Sequence, residues 1–392
     1  MAAEGVKWVT NNTSPALTRY HGAAGANTLY SPATQAVATT YFNALSPWGL
    51  MRRCNLWTDG TPTAYYGDRC YTDTDVTNMG QAMAQIPQFC YAIDVLTANQ
   101  VWYWVGQVGD KFRLSDNSGD YTFSAPDIHP VFSVGGVAKS YAYIGAYEAS
   151  LNLSNVMQSV AGVAPTNQAI IASVATARGY ANLLGSRWGL STVQAWAATV
   201  LLFIIEYATF YTHGIYFGYG NASANALITG TTTSYGNVTG AIANNSSAVG
   251  MTYRGIENFW GNEGQFLEGL NIKANYAVWV AAQATTSGYY DCTAFDGVKY
   301  IDTTKSWPSD AATFITSLAT GTYRWAFIPA TLGGAQNQYA CGYAAPATAN
   351  RVIFTTGGFA QNWALQNPLT QFLATTTSAT ASYGYRLQYH QL

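Results

Sequence analysis

Charge is what this sequence has least of. Asp, Glu, Lys and Arg make up 9% of its 392 residues, against roughly 25% in an ordinary soluble domain. The 17 basic residues form no run or cluster and the net charge is −2. Nucleic-acid binding therefore lacks the basic footprint that phosphate contacts require. Long apolar runs are also missing. The longest, residues 195–205, is broken by Thr199 and closed by Glu206, well short of the ~20 residues a membrane span needs; it is expected to be a buried helix. Met1 and the residues after it show no cationic start followed by an apolar stretch, so no secretory leader is expected. Five cysteines (Cys54, Cys70, Cys90, Cys292 and Cys341) form no Cys-x-x-Cys pair, which argues against a zinc site and a dense disulfide framework. They are expected to be buried free thiols, with Cys54 and Cys70 the nearest pair if any bridge forms. The four histidines show no metal-ligand spacing, and no cofactor or metal is expected.

Apolar residues make up 49% of the chain, and it carries 29 tyrosines, 12 tryptophans and 37 glycines. A large core is therefore available, and the surface must be covered by Thr, Ser, Asn, Gln and Tyr. Such a surface is polar but weakly charged. It suits packing against copies of itself or other coat components, and contact with varied partners.

Along the chain, residues 1–44 lack periodicity and are expected to be an arm or docking segment. Residues 45–125 carry strand signals. The segment MRRCNLWTDGTPTAYYG (51–67) reads as two strands around a turn at Asp59-Gly60. QAMAQIPQFCYAIDV (81–95) and QVWYWVGQV (100–108) are β-rich and aromatic. The spacing predicts a helix over 166–188 and a second from Ser191 to about Phe210, with Ser191 and Gln194 as a capping box and His213-Gly214 as its end. The second is apolar nearly all round, hence buried. From residue 212 onward, Gly, Asn, Thr and aromatics alternate with short strand-like runs. This order of elements makes the fold class α+β. Glu148 and Glu206, in apolar surroundings, are expected to be buried in structural ion pairs, with Arg178 or Arg187 as partners. His129-Pro130 is read as structural, and Asp73-x-Asp75 as a solvated turn.

Three stretches, taken in order, carry a resemblance: DIHPVFSVGGVAKSYAYIGAYEAS (127–150), YRGIENFWGNEGQFLEGLNI (253–272), and RVIFTTGGFAQNWALQNPL followed by YGYRLQYH (351–390). Together they resemble phage and prophage virion or tail proteins with a C-type-lectin fold of the formylglycine-generating-enzyme type. The likeness extends to the variable proteins diversified by retroelements, of the major-tropism-determinant kind. It implies a β-rich region over 45–125 and a lectin-like domain over 126–392. Trp260, Gly261 and Asn262 stand in the family's Gly-Asn turn, followed by Gln265, Phe266, Leu267 and Glu268 where the family has Trp-Glu-Trp. Gly357, Gly358 and Arg386 fall on the framework of its variable region, in which Asn367-Pro368-Leu369 replaces the usual Gly-Leu-Phe. The family's ligand-contacting positions map onto Phe359, Asn362, Trp363, Gln366, Asn367, Gln371 and Phe372, with Tyr383 and Tyr385 as further candidates. Tyr, Trp, Asn and Ser are also the residues of adaptable binding faces. The enzymes of this fold use a pair of reactive cysteines near the C-terminus. Cys292 and Cys341 are far apart in sequence and have no basic neighbour to lower a thiol pKa, so no catalysis is expected. The resemblance implies a non-enzymatic virion surface or tail-tip protein that binds a host-cell surface protein or glycan. Its partners would be other virion proteins and copies of itself, as a trimer. A structural virion component, either a capsid decoration or a tail adaptor, and a prokaryotic cell-surface binding protein are the other readings.

Overall fold

Alternating aromatic and β-branched residues build most of this molecule. In the computed structural model, strands hold 38% of the chain and helices 17%, a mixed α+β fold as expected. Residues 3–10, 16–21, 40–97, 100–113, 119–212, 215–216, 218, 226–242, 250–281, 295–309, 313–333, 341–343, 351–355, 371–374, 377 and 382–391 are described.

The hairpin expected around Asp59-Gly60 is present. Arg52–Leu56 and Pro62–Tyr65 pair antiparallel, with Gly60 at φ +89, a value glycine adopts at little cost. This hairpin lies at one edge of a six-stranded antiparallel sheet ordered Trp188–Leu190, Leu387–Tyr389, Tyr141–Gly145, Gln81–Pro87, Arg52–Leu56, Pro62–Tyr65. The C-terminal strand thus sits inside a sheet whose other members come from residues 52–190. The boundary expected at 125/126 is crossed by the pairing of Tyr141–Gly145 with Gln81–Pro87.

The N-terminal segment differs from expectation. Glu4–Val9 lies in the interior of a four-stranded sheet, between Thr18–His21 and Gln100–Gly106, with Cys90–Thr97 beyond. Val6 and Trp8 are core residues. The alternation in EGVKWV is too short to stand out, and only pairing with the aromatic strand Gln100–Gly106 fixes it as β. Within residues 1–44, the described strands Glu4–Val9 and Thr18–His21 therefore belong to this sheet and not to a separate arm.

Two helices were expected, and both exist in shortened form. The first, α1, spans Val174–Asn182, capped by Ser173, whose hydroxyl accepts from the Thr176 amide. The residues expected to extend it are held elsewhere: Thr166 N donates to Ala149 O, Gln168 N to Tyr383 O, and Trp188 pairs with Tyr389. The second, α2, spans Val193–Tyr207, and all fifteen of its residues are buried. Thr192, not Ser191, is its cap, accepting from Ala195 N at 3.3 Å, because the Ser191 amide is taken by Arg386 O. It ends where Ala208 turns left-handed at φ 50, earlier than the expected His213-Gly214, which lies outside the described residues. Its last carbonyls, Ile205 O and Glu206 O, accept from Arg19 at 2.5 and 2.7 Å, as helix ends require when buried.

Helix α2 packs against Glu4–Val9, Gln100–Gly106 and Gly264–Ile272. It therefore joins the four-stranded sheet to a third, nine-stranded one. The path of that sheet runs Tyr300–Ser306, Ala277–Ala281, Gly264–Ile272, Arg351–Thr355, Gln371–Ala374, Cys341–Tyr343, Thr313–Leu318, Pro329–Gly333, with Tyr383–Gly384 pairing beside Gly264–Ile272. One apolar cluster runs from Val6 through α2 to Ile353. Among the described residues no helix is long and apolar enough to cross a membrane.

Candidate functional site: the terminal strands and their polar platform

The turn Trp260-Gly261-Asn262 is anchored from below. The Trp260 indole donates to Tyr216 O at 3.1 Å and meets Phe203 of α2 edge-on, 5.1 Å between centroids. Gly261 and Asn262 both take positive φ, +83 and +49, which is why Gly and Asn stand there. Asn262 Oδ1 accepts from Leu227 N at 2.6 Å, while its amide nitrogen donates to Glu148. Every one of these contacts is made within the fold.

Glu148 gathers the donors of this turn: Asn258 Nδ2 at 3.1 Å, Asn262 Nδ2 and the Glu263 amide at 3.1 Å. It is 1% exposed. Burial pushes its pKa up to about 7, against the opposing pull of Arg386 and these donors. Glu263, fully buried beside it, is held well above the ordinary carboxylate range, first by burial and then by the Glu148 charge. Two carboxyls sharing an interior cannot both ionise cheaply. Arg386 closes the group, with burial lowering its pKa to about 10. It donates to Gln265 Oε1 at 2.8 Å, Gly145 O at 2.8 Å and Glu257 O at 2.7 Å, tying the C-terminus to three segments. The framework role expected of Arg386 is thus seen in its bonds. The ion pairs expected of the two glutamates have other partners. Glu206 is bound by both ends of the Arg254 guanidinium, at 2.6 and 2.7 Å. Arg178 pairs with Glu268, and Arg187 reaches Tyr389 Oη at 3.4 Å.

This platform lies under the terminal strands. Tyr383–Gly384 runs parallel to Gly264–Gln265. A Cβ on Gly384 would fall 1.9 Å from the Glu263 carboxylate, so any larger residue there would have to displace that buried side chain. Tyr383 is half-buried, its ring edge-on to Phe266. Tyr385, a candidate contact from sequence, is a core residue: it is fully buried, stacks on Phe266 with centroids 5.6 Å apart, and donates to Ile171 O at 3.3 Å. No ligand reaches it without opening the core. Gln371 and Phe372 start a strand paired with Thr355 and Phe354. Gly357, Gly358, Phe359, Asn362, Trp363, Gln366 and Asn367 lie outside the described residues.

The strand ends around this strand define one edge of the nine-stranded sheet. Thr355 pairs with Gln265 on one side and Gln371 on the other, and Gln371 with Gly342. Gly333 and Cys341 both pair with Phe314, and Ala281 pairs with Tyr300. The strands of Ala281, Cys341, Thr355 and Gln371 end on this same side, whereas Thr313–Leu318 and Pro329–Gly333 extend past it and Gly333 ends facing the other way. Residues 282–299, 334–340 and 356–370 join these ends in the chain. They include Tyr289, Tyr290, Tyr339, Phe359 and Trp363, and the first of the three segments holds all their charges: Asp291, Asp296 and Lys299.

Cys54 and Cys70 form no bridge: both are free, Cys54 buried and Cys70 exposed. Burial pushes the Cys54 and Cys90 thiols up to about 12, the opposite of activation. Cys292 lies outside the described residues. Asp73 accepts from Tyr71 Oη at 2.6 Å and faces Arg53 at 3.8 Å, while Asp75 caps the short helix Val76–Met79. Among the described residues no group of three or more His, Cys, Asp or Glu is placed to hold a metal ion. His129 is buried, with its Nδ1 accepting from Val131 N at 3.3 Å. No protein-family model matches the sequence, and no curated protein matches it.

Proposed function

We propose that the chain is a virion surface or tail-tip protein of a phage or prophage. Its C-terminal part would be a C-type-lectin-like domain of the formylglycine-generating-enzyme type that binds a host-cell surface protein or glycan without catalysis. The observation that carries this reading is the single sheet edge at which Ala281, Cys341, Thr355 and Gln371 all terminate. Segments 282–299, 334–340 and 356–370, rich in Tyr, Asn, Gln and Thr and nearly uncharged, are strung between those ends. Rigid strands that present variable aromatic and amide side chains form a binding face at low ordering cost. Arg386 and the buried glutamates beneath give that edge a fixed base. Assembly with other virion proteins, and a trimer of this chain, belong to the same reading.

Cryo-electron microscopy of particles carrying the chain tests it. If the edge at Thr355 and Gln371 points into solvent at an exposed tip, attachment stands. If that edge is buried against neighbouring coat subunits over the whole shell, the chain is a structural coat component and the attachment reading is wrong.

A further inference from the structure

A second polar cleft opens elsewhere, over the strands Arg52–Leu56, Gln81–Pro87 and Tyr141–Gly145. It has a volume of about 380 Å³, and its wall includes Ser46, Arg52, Gln85, Gln88, Gln107 and Tyr141. A volume of this size suits one or two sugar units. Its floor is a cross-strand row in register: Arg52 opposite Gln85, Gln85 opposite Tyr143, and Tyr143 opposite Tyr389. Directly opposed side chains share one face of a sheet.

The row fixes Arg52 from two sides. Its guanidinium carbon lies 3.5 Å from the centroid of the Tyr65 ring. Its Nε donates to Gln85 Oε1 at 3.3 Å. Gln85 is itself 1% exposed and donates to Tyr143 Oη at 2.9 Å. The two terminal nitrogens of Arg52 make no hydrogen bond among the described residues, and no described carboxylate pairs with it. Each of the other interior arginines differs. Arg254 and Arg386 donate through several nitrogens to named acceptors, as do Arg19 and Arg53. A guanidinium held flat on a ring, with its fork open to a cleft, is arranged for a planar anion bound through two parallel bonds.

The rest of the wall is amide and hydroxyl. Gln107 Nε2 donates to Ser46 Oγ at 3.1 Å and to Gln88 O at 3.2 Å, and Gln88 Nε2 donates to Lys139 O at 2.9 Å. The Gln88 and Gln107 side chains are therefore oriented: both amide protons of Gln107 are used and its carbonyl oxygen can accept, while Gln88 keeps one N–H and its carbonyl oxygen for vicinal hydroxyls. Tyr141, 38% exposed, offers a ring at the rim. Apolar atoms come from Leu50 and Pro87, which form no enclosed socket for a peptide side chain.

We propose that this cleft binds an acidic saccharide, a sugar unit whose carboxylate is taken by the Arg52 fork while Gln88 and Gln107 meet its hydroxyls and Tyr141 covers its ring. The site uses none of the C-terminal residues and is independent of the attachment face proposed above.

The test is saturation-transfer NMR titration of the full chain with a galacturonic acid trimer, with its methyl ester, and with triglutamate. The acid trimer is expected to bind, and the ester, uncharged but of the same shape, at least about tenfold more weakly. Arg52→Gln should bring the acid trimer down to the affinity of the ester, and Tyr141→Ala should weaken both. The idea fails if the folded wild-type chain gives no transfer to the acid trimer, or if acid and ester bind alike. It fails equally if Tyr141→Ala changes nothing. Triglutamate binding as tightly as the trimer would make the cleft a peptide site instead. Should Arg52→Gln lose its native melting transition, the acid-to-ester ratio on the wild-type chain decides the same point.

Discussion

At the scale of single residues, all six glutamates and four of the eleven arginines of this weakly charged chain are buried. Glu206 and Arg254 show the consequence. Both are at most 2% exposed, and the guanidinium also donates to Trp48 O at 2.9 Å and Asn43 Oδ1 at 3.0 Å. Removing one partner leaves the other charge buried and unmatched, at a cost of about 3–5 kcal/mol. Arg254→Met should therefore lower the urea midpoint strongly, and Arg254→Met with Glu206→Leu should recover part of the loss. A midpoint unchanged in the single variant would show the pair to be dispensable. Glu148 and Glu263 behave in the opposite way. Their folded pKa values lie above the ordinary carboxylate value of 4.5, so the folded state holds protons that the unfolded chain releases. Their contribution to stability is complete below pH ~4.5 and falls as pH rises toward about 7 and beyond. Glu263→Gln removes the second carboxyl. The variant should melt near the wild-type temperature at pH 4.5 and several degrees above it at pH 8. Parallel melting curves across that range would contradict the shared-interior account. His129 and His390 act with the other sign, since burial pushes them down to about 3 and about 4. Their stabilisation is present above the ordinary histidine range and declines as pH falls through those values.

At the scale of elements, helix α2 was legible because its apolar residues occupy every face, and only an interior position accommodates that. Its first residue was not legible. Ser191 and Thr192 are both good caps in sequence. The choice falls to Thr192 because the chain at Ser191 is still paired, its amide donating to Arg386 and its carbonyl accepting from Glu268 N. Thr192→Ala should cost about 1 kcal/mol and Ser191→Ala much less, measured by chemical denaturation; the reverse order would restore Ser191 as the cap. The expected 166–188 helix shrank to Val174–Asn182 for a similar reason. Helical spacing is a local signal, and sheet contacts at Trp188 and Gln168 override it at both ends. The hairpin at Asp59-Gly60 came through unchanged, since its turn chemistry and strand pattern agree within about fifteen residues.

At the scale of the whole molecule, the boundaries expected at 44/45 and 125/126 do not separate folded units. Glu4–Val9 sits between two strands of one sheet and against α2, and Leu387–Tyr389 sits between two strands of another. Deleting residues 1–9 should leave Gln100–Gly106 unpaired on one side and abolish the cooperative thermal transition. A truncated chain with a native near-ultraviolet spectrum would show the segment to be the docking arm that its composition suggests. The sequence by itself determined the class of fold, the buried α2 and the first hairpin. Each of these follows from composition, a local period or a turn residue, and each is written within a short stretch of chain. Only the tertiary structure decided which arginine meets which glutamate, that Tyr385 is core and Tyr383 half-open, that Glu4–Val9 is an interior strand, and that Arg52, held by Gln85 and Tyr65, keeps its two terminal nitrogens unpaired among the described residues, beside a cleft. Those outcomes depend on residues tens to hundreds of positions apart. A buried charge needs a partner, but its local sequence does not say which, because the partner is chosen by the packing of sheets whose register no short window contains.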